Sequence, residues 1–175
     1  MKKIFILALF FAFAVQLGFS QFFVGGGVGS SVAMQTWSIQ EDGPSWAQRS
    51  GRESMSMGIS AQAGYRLPFL PFNVGITVSY GFPLLADSVS LFAFGVFGEA
   101  FITFGRRSAI ALGISLNYLH VWESTFAIGI PITWEIALND RAALLWGGQY
   151  TLPLGLGDNS RAFITSGLLG LRVFF

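Results

Sequence analysis

The sequence has no cysteine and only one histidine in its 175 residues. Without cysteine there is no disulfide framework, no thiolate metal ligand and no cysteine nucleophile. Charged residues make up 11% of the chain, whereas about 25% is usual in soluble domains. A formal net charge of +1 gives no basic surface for nucleic acid. We therefore expect no nucleic-acid partner, no metal site and no cofactor.

Beyond residue 20 the chain also lacks lysine, and it has no run of about 18 apolar residues, which a transmembrane helix would need. It is nevertheless very apolar, with 53% hydrophobic residues and a mean hydropathy of +0.60. Lys2 and Lys3 precede an apolar run over residues 4–15, the pattern of a secretory signal peptide. We expect residues 1–20 to be cleaved, an uncleaved anchor being the alternative. An exported, apolar chain without a spanning helix enters a bilayer as a closed β-barrel.

Large apolar residues alternate with small or polar ones through most of residues 21–175, which indicates β-strands. In the segment TFAIGIPITWEIALN, every second residue from Phe126 to Leu138 is apolar and large, a period that a helix cannot produce. The fold class is therefore predicted as all-β, an eight-stranded antiparallel up-and-down transmembrane β-barrel over residues 21–175. A soluble β-sandwich, the alternative, would expose the row from Ile128 to Trp134 to water. The predicted strands are residues 22–38, 55–67, 72–84, 91–105, 109–122, 125–139, 142–156 and 162–175.

An even number of strands places both termini on one side, which in bacterial barrels is the periplasm. Loops at 41–54, 85–90, 122–124 and 157–161 are then expected outside, and turns at 68–71, 106–108 and 140–141 in the periplasm. Aromatic residues near the strand ends are expected to form interfacial girdles. These are Tyr80, Tyr118 and Trp122 on the outer side, and Tyr65, Phe104, Trp134 and Trp146 on the periplasmic side.

The charges avoid the apolar row. Four of them lie within predicted strands, all on the inward row: Arg66, Glu99, Glu135 and Arg172. The interior of an eight-stranded barrel is about filled by side chains, and charges buried there must be paired. We therefore predict a neutral polar network that includes Gln62, Asn117 and Gln149; a catalytic or ion-conducting cluster is the alternative. Inward glycines leave room for neighbouring side chains or a ligand, among them Gly25, Gly27, Gly29, Gly64 and Gly75.

The outer half of the predicted lumen is apolar. The inward row there contains Trp37, Leu119, Val121 and Ile164, and it suggests a pocket for a small hydrophobic molecule. Pro131 and Pro153 lie on the neighbouring strands 6 and 7, where proline cannot donate to the ladder. Two missing donors in one seam could form a slot through the wall. The alternative is that the prolines only bend the strands and that side chains fill the space.

Catalytic groups are sparse. The single histidine, His120, falls on the outward row near the end of strand 5. Asp87 and Ser88 lie in the second outer loop, and Glu123 and Ser124 in the third. A serine–histidine–acid set needs its members within hydrogen-bond reach of one another. We predict no catalytic residue from this arrangement.

The C-terminal segment GLLGLRVFF alternates up to Phe175 and resembles the signal by which outer-membrane barrels are recognised by their insertion machinery. With the signal peptide and the alternation, the chain resembles the small eight-stranded outer-membrane barrels of the OmpA, OmpX, OmpW and PagP kind. No motif selects one of them. The resemblance implies export to the periplasm and insertion into the outer membrane of a diderm bacterium. The implied partners are outer-membrane lipid, lipopolysaccharide or an equivalent, and the insertion machinery through Phe175.

The resemblance also orders the candidate functions. The first is a non-enzymatic outer-membrane barrel, structural or surface-exposed, that presents four outer loops. The second is an OmpW-like carrier or narrow, porin-like channel for small hydrophobic molecules. Prolines flank the lateral gate of PagP-like barrels, and OmpW-like barrels hold an apolar pocket, so Pro131, Pro153 and Leu119 bear on this second function. The third is a lipid-modifying enzyme, from which the chain departs because its first outer loop has no histidine.

Overall fold

The computed structural model describes residues 21–38, 49–67, 70–154 and 160–175. Within strands, the side chains of residues 37, 38, 49, 50, 160 and 161 are outside this description. The predicted signal peptide at 1–20 therefore lies outside the described residues, as do residues 41–48 and 157–159 of two predicted loops. In the described ranges no helix is sufficiently long and apolar for a membrane span.

The described residues form eight antiparallel strands, each paired with its neighbours in sequence, and β1 pairs with β8 to close a barrel. The predicted fold class is thus confirmed, and the β-sandwich alternative is wrong because a single sheet closes on itself. The strands are β1 (Gln21–Ser38), β2 (Arg49–Leu67), β3 (Phe72–Pro83), β4 (Leu91–Phe104), β5 (Ser108–His120), β6 (Ser124–Asn139), β7 (Ala142–Pro153) and β8 (Ser160–Phe174).

The wall of the barrel has an apolar outside and a polar or small-residue inside. Along β6 the outward residues Ile128, Ile130, Ile132 and Trp134 are exposed, whereas Ala127 and the other inward residues are buried or half-buried. The same alternation occurs along β3, β4 and β5. A barrel with an apolar outer band is suited to the hydrocarbon core of a bilayer.

The two ends of the barrel differ in their connections. The loop rim carries residues 39–48, 84–90, 121–123 and 154–159, and the turn rim carries residues 68–71, 105–107 and 140–141 together with Gln21 and Phe175. Gly105 has a φ of 67° in the turn between β4 and β5. This left-handed conformation favours glycine because it has no Cβ. The short turns therefore gather at one end, as the alternation of loop lengths in the sequence predicted.

One strand is longer than predicted. β2 begins at Arg49 and not at residue 55, and it pairs with β1 as far as Ser38↔Arg49. β2 pairs with β3 only as far as Ser56↔Pro83. Residues 33–38 of β1, 49–55 of β2 and 160–163 of β8 therefore extend past the neighbouring strands as a projecting sheet. Residues 49–54 are polar or glycine on both faces, so they carry no apolar alternation by which to recognise a strand.

The end of β5 also differs. The strand ends at His120, two residues before the predicted end, and a turn follows over residues 121–123. Val121 and Trp122 both pack against buried apolar residues inside the barrel. The expectation that Trp122 belongs to the outer aromatic girdle is therefore wrong. Strand alternation stops at the turn, so two consecutive side chains can point to the same side.

Candidate functional site in the lumen

The inward charges lie near the turn rim and belong to alternate strands. Arg66 is on β2, Glu99 on β4, Glu135 on β6 and Arg172 on β8. Arg172 and Glu99 are buried, with 2% and 3% of their surface exposed. The structure brings all four side chains together in one layer, which we call the charged floor.

Arg172 joins both carboxylates of the charged floor. Its Nη2 lies 2.9 Å from Glu99 Oε1, and its Nη1 lies 3.0 Å from Glu135 Oε2. Arg66 donates from Nη2 to both oxygens of Glu135, at 2.8 and 2.7 Å. The two positive and two negative charges balance, which lowers the cost of removing them from water.

Amide side chains complete the charged floor. Gln62 accepts from Arg172 Nη2 at 3.0 Å. Asn73, which is fully buried, donates to Glu99 Oε1 at 2.8 Å and accepts from Arg66 Nε at 3.0 Å. The sequence reasoning missed Asn73, although its inward position beside the predicted charges was the signal for it. Among the described side chains, the only buried nitrogen or oxygen without a hydrogen-bond partner is Arg172 Nε.

Aromatic rings enclose the charged floor. The Arg172 guanidinium lies 4.4 Å from the ring centroid of Phe23, and that of Arg66 lies 4.4 Å from Phe174 and 4.8 Å from Phe101. These distances fit cation–π contacts, which are strongest where water is excluded. Ionic groups and rings together fill the lumen at the turn rim.

Inward glycines provide the space for two of the rings. A Cβ on Gly64 would lie 2.7 Å from the Phe23 ring, and one on Gly75 would lie 2.8 Å from the Phe97 ring. Both distances are too short for real carbon–carbon contacts. At these two positions the glycines therefore make room for aromatic side chains of the barrel itself.

A cavity of about 170 Å³ lies between the charged floor and the loop rim. Asn117 and Gln149 line it, and they bond to Ser115 and Thr151 of their own strands at 2.8 Å each. Hydroxyl groups on several strands form much of the remaining wall: Ser31, Ser60, Thr77, Ser79, Thr133 and Ser166. A polar cavity of this size has room for several water molecules or one small molecule.

Apolar side chains form the roof of this cavity, on the side of the loop rim. Leu91, Leu119 and Ile164 are buried together and line the cavity, and Ala33 and Ala127 are buried against them. Val121 packs on the same cluster. Two residues of the predicted apolar pocket, Leu119 and Ile164, thus line the cavity from above, and Val121 covers them. The side chain of Trp37, also predicted there, lies outside the described part of the chain.

The prolines do not open the seam that the sequence suggested. The β6–β7 register is continuous through Pro131↔Gln149 to Ala127↔Pro153, and Leu154 N donates to Phe126 O at 2.6 Å beyond it. The idea of a slot between β6 and β7 is therefore wrong. Pairing is interrupted one seam away, between Leu112↔Ile132 and Ser115↔Gly129 of β5 and β6. Pro131 lines the cavity, whereas Pro153 is not among its lining residues.

The rim residues considered for catalysis are partly brought together. His120 Nδ1 lies 3.0 Å from Ser124 Oγ across the turn that joins β5 and β6. Ser88 Oγ instead accepts from the backbone N of Met55 at 3.0 Å, which pins the second outer loop to β2. The His120–Ser124 contact closes a turn, and no carboxylate in the described ranges has a recorded bond to His120.

The C-terminal residue continues the outward row of β8. Phe175 is 73% exposed, and its backbone N donates to Phe22 O at 2.8 Å. Its ring centroid lies 6.0 Å from that of Phe22. The terminal ring is thus accessible at the turn rim, where the sequence analysis expects an insertion machinery to reach it.

Comparison with solved structures gives the class of the fold. The crystal structure of Neisserial surface protein A aligns with a TM-score of 0.65 at 16% identity, over 88% of this chain and 97% of that chain. Ail of Yersinia pestis, in complex with the heparin analogue sucrose octasulfate, aligns at 0.47 and 12% identity over 89% and 99%. OprG from Pseudomonas aeruginosa aligns at 0.46 and 11% identity over 89% and 96%. No protein-family model matches the chain, and no curated protein is significantly similar to it.

The chain therefore has the architecture of a small eight-stranded outer-membrane β-barrel. At 16% identity the similarity concerns the fold alone, because one fold serves many functions.

Proposed function

We propose that this protein is a non-enzymatic barrel of the outer membrane that presents its projecting sheet and outer loops at the cell surface. The observation that carries the proposal is the projecting sheet itself. It continues from strands whose outward residues are apolar, and its exposed residues Gly51, Arg52 and Glu53 are suited to water. The location in the outer membrane follows from the apolar outer band and the predicted signal peptide.

The edge of the projecting sheet supports a role in contact with other molecules. Pairing with β3 ends at Ser56, which leaves residues 49–53 of β2 without a partner in that strand. Met55 is still tied down by Leu84 N, which donates to its carbonyl at 2.9 Å. An edge of this kind offers backbone groups to an added strand.

The filled lumen supports a role that needs no conduction. Ionic and aromatic side chains occupy the charged floor, and apolar side chains close the roof. An eight-stranded barrel has an interior only about wide enough for its own side chains. Function is therefore assigned to the outer surface and not to a pore.

Cysteine labelling tests this proposal cleanly, because the chain has no cysteine of its own. We expect Gly51→Cys to react with a membrane-impermeant maleimide on intact cells. Ser108→Cys, at the turn rim, should react only after the outer membrane is permeabilised. Labelling of Ser108→Cys but not Gly51→Cys on intact cells would overturn the orientation, and labelling of neither in permeabilised cells would overturn the outer-membrane assignment.

A second candidate is a carrier for small molecules, and the cavity of about 170 Å³ favours it. The balanced charges of the floor suit an uncharged ligand. An oxygen of that ligand would accept from Arg172 Nε, and an apolar part would lie under Leu119 and Ile164. The ligand class is thus a small neutral molecule with one polar end, which narrows the earlier expectation of a purely hydrophobic one.

Benzyl alcohol is a suitable probe of the second candidate. In ligand-detected NMR with the purified barrel, we expect a saturation-transfer signal that is lost in Ser166→Phe, because the new ring fills the cavity. The probe also partitions into detergent, and this background is common to both proteins. Equal signals from the two proteins would exclude the carrier.

A further inference from the structure

A groove runs along the outside of the barrel over β5, β6 and β7, close to the turn rim. Ile110, Ile132, Trp134 and Trp146 line it, with the backbone of Gly147 behind them, and its volume is about 250 Å³. The two indole rings are stacked with centroids 6.3 Å apart and an interplanar angle of 28°. We call this the Trp groove.

The groove contains no polar side chain capable of hydrogen bonding except the indole N–H groups. Trp134 is paired with both Ile110 and Trp146, so the lining residues lie at one height on the wall. The next outward residue of β7, Gly148, leaves bare backbone opposite Ile132. These features shape a slot for an unbranched apolar chain.

Three arginines stand at the turn rim on the same strands. Arg106 and Arg107 lie in the turn before β5, and Arg141 lies in the turn before β7. Ala137 N donates to Arg107 O at 2.7 Å, which holds the first turn against the end of β6. All three arginines are exposed, and none takes part in the ion pairs recorded among the described residues.

The charge at this part of the turn rim is positive. Asp140 is the acidic side chain in these two turns, so three arginines and one carboxylate give a net +2. Strands lie about 4.8 Å apart, so the turns before β5 and β7 are separated by roughly 10 Å. A phosphate can therefore contact more than one of these arginines.

We propose that the Trp groove and these arginines form one site for an anionic glycerophospholipid of the periplasmic leaflet. An acyl chain occupies the Trp groove, and the phosphate lies against Arg106, Arg107 and Arg141. The inference rests on the proposed function, because it requires the turn rim to face the periplasm.

The spacing between the two parts suits such a lipid. Ile110 follows Arg107 by three residues and Trp146 follows Arg141 by five. At about 3.3 Å per residue along strands tilted by about 40°, the groove lies roughly 8–13 Å below the arginines. That depth corresponds to the first half of an acyl chain, and tryptophan is enriched at this level of a membrane.

Quenching of tryptophan fluorescence by brominated lipids measures the occupancy of this site. The chain has five tryptophans, and a variant with Trp37→Phe, Trp46→Phe and Trp122→Phe keeps only the two in the groove. This variant is reconstituted in phosphatidylcholine vesicles, and brominated phosphatidylglycerol or brominated phosphatidylcholine is titrated in. We expect phosphatidylglycerol to quench at lower mole fraction, and bromines near the head group to quench more than bromines near the chain end.

The arginines are tested in the same background. Each basic residue near an anionic surface contributes roughly a fivefold increase in affinity. Arg106→Gln, Arg107→Gln and Arg141→Gln together should therefore remove the preference for phosphatidylglycerol, whereas the three Arg→Lys changes should retain most of it. Arg52→Gln removes a positive charge from the loop rim and should leave the preference unchanged.

The outcomes separate this inference from the proposed function. Equal quenching by the two lipids in the parent variant, or an unchanged preference in the triple Gln variant, overturns the lipid site. Protease protection and heat-modifiable migration on gels report barrel insertion independently. A chain that fails to insert contradicts the proposed function, and one that inserts without lipid preference contradicts only the site.

Discussion

Arg172 and Glu99 form an ion pair of 2.9 Å between side chains that are only 2% and 4% exposed. Glu135 shares the same guanidinium at 3.0 Å. The pair therefore lies inside a network, and neither carboxylate has water to replace the cation.

Removal of this cation is the most disruptive single change that we expect. Arg172→Met should lower the free energy of unfolding by about 3–5 kcal/mol, because two buried carboxylates lose their partner. Urea unfolding in detergent, followed by tryptophan fluorescence, measures the change. The double variant Arg172→Met with Glu99→Gln should be more stable than the single variant. A single variant as stable as the parent would mean that the charged floor is solvated.

Two glycines provide a matched test of packing in the wall. Gly64→Ala places a methyl group 2.7 Å from the Phe23 ring, and we expect a loss of about 1–3 kcal/mol in unfolding free energy from overpacking. Gly167→Ala should be within about 0.5 kcal/mol of the parent, because its Cβ meets only Ser30 Oγ at 3.9 Å. The same urea titration compares them. Similar losses in both variants would show that the effect is a general property of strand glycines.

The outer band is tested by a charge placed at two depths. Ile114 is 64% exposed in mid-strand, and Phe104 is 54% exposed beside a turn. In lipid bilayers Ile114→Arg should cost about 2–4 kcal/mol in folding free energy, and Phe104→Arg about 0–1 kcal/mol. Folding titrations in vesicles give both values. If the two costs are equal, the wall does not face a hydrocarbon layer with a depth gradient.

The roof is tested by the reactivity of a thiol beneath Trp122. Leu119→Cys introduces the only cysteine, and we expect it to react slowly with a small water-soluble maleimide. Trp122→Gly in the same chain should raise the rate roughly tenfold or more, since loss of a packed aromatic ring weakens the roof by about 1.5–3 kcal/mol. Equal rates would place the entrance to the cavity elsewhere.

Alternation explains why the barrel could be predicted from the sequence and why parts of it could not. The row from Phe126 to Leu138 indicates a lipid-facing strand without any structural information. Residues 49–54 extend β2 through pairing with β1 alone, and nothing in their polarity distinguishes them from a loop. Trp122 follows a turn, where alternation no longer assigns the side of a residue.

The candidate site shows the same division. The inward row contains Arg66, Glu99, Glu135 and Arg172, and the sequence alone assigns them to the lumen. It does not give their partners, because contacts across the lumen depend on how the strands are staggered around the barrel. Asn73 was missed for this reason, since its bonds to Arg66 and Glu99 join three strands.

Arg172 is on the last strand, whereas the carboxylates that it joins are on β4 and β6. A sheet that has not yet been closed by β8 therefore holds Glu99 without its ionic partner and Glu135 with only Arg66. Arrival of β8 supplies the missing positive charge and the final seam in the same step. Closure thus makes the interior electrically neutral, so partially assembled sheets are disfavoured and the last strand is selected by charge as well as by backbone pairing.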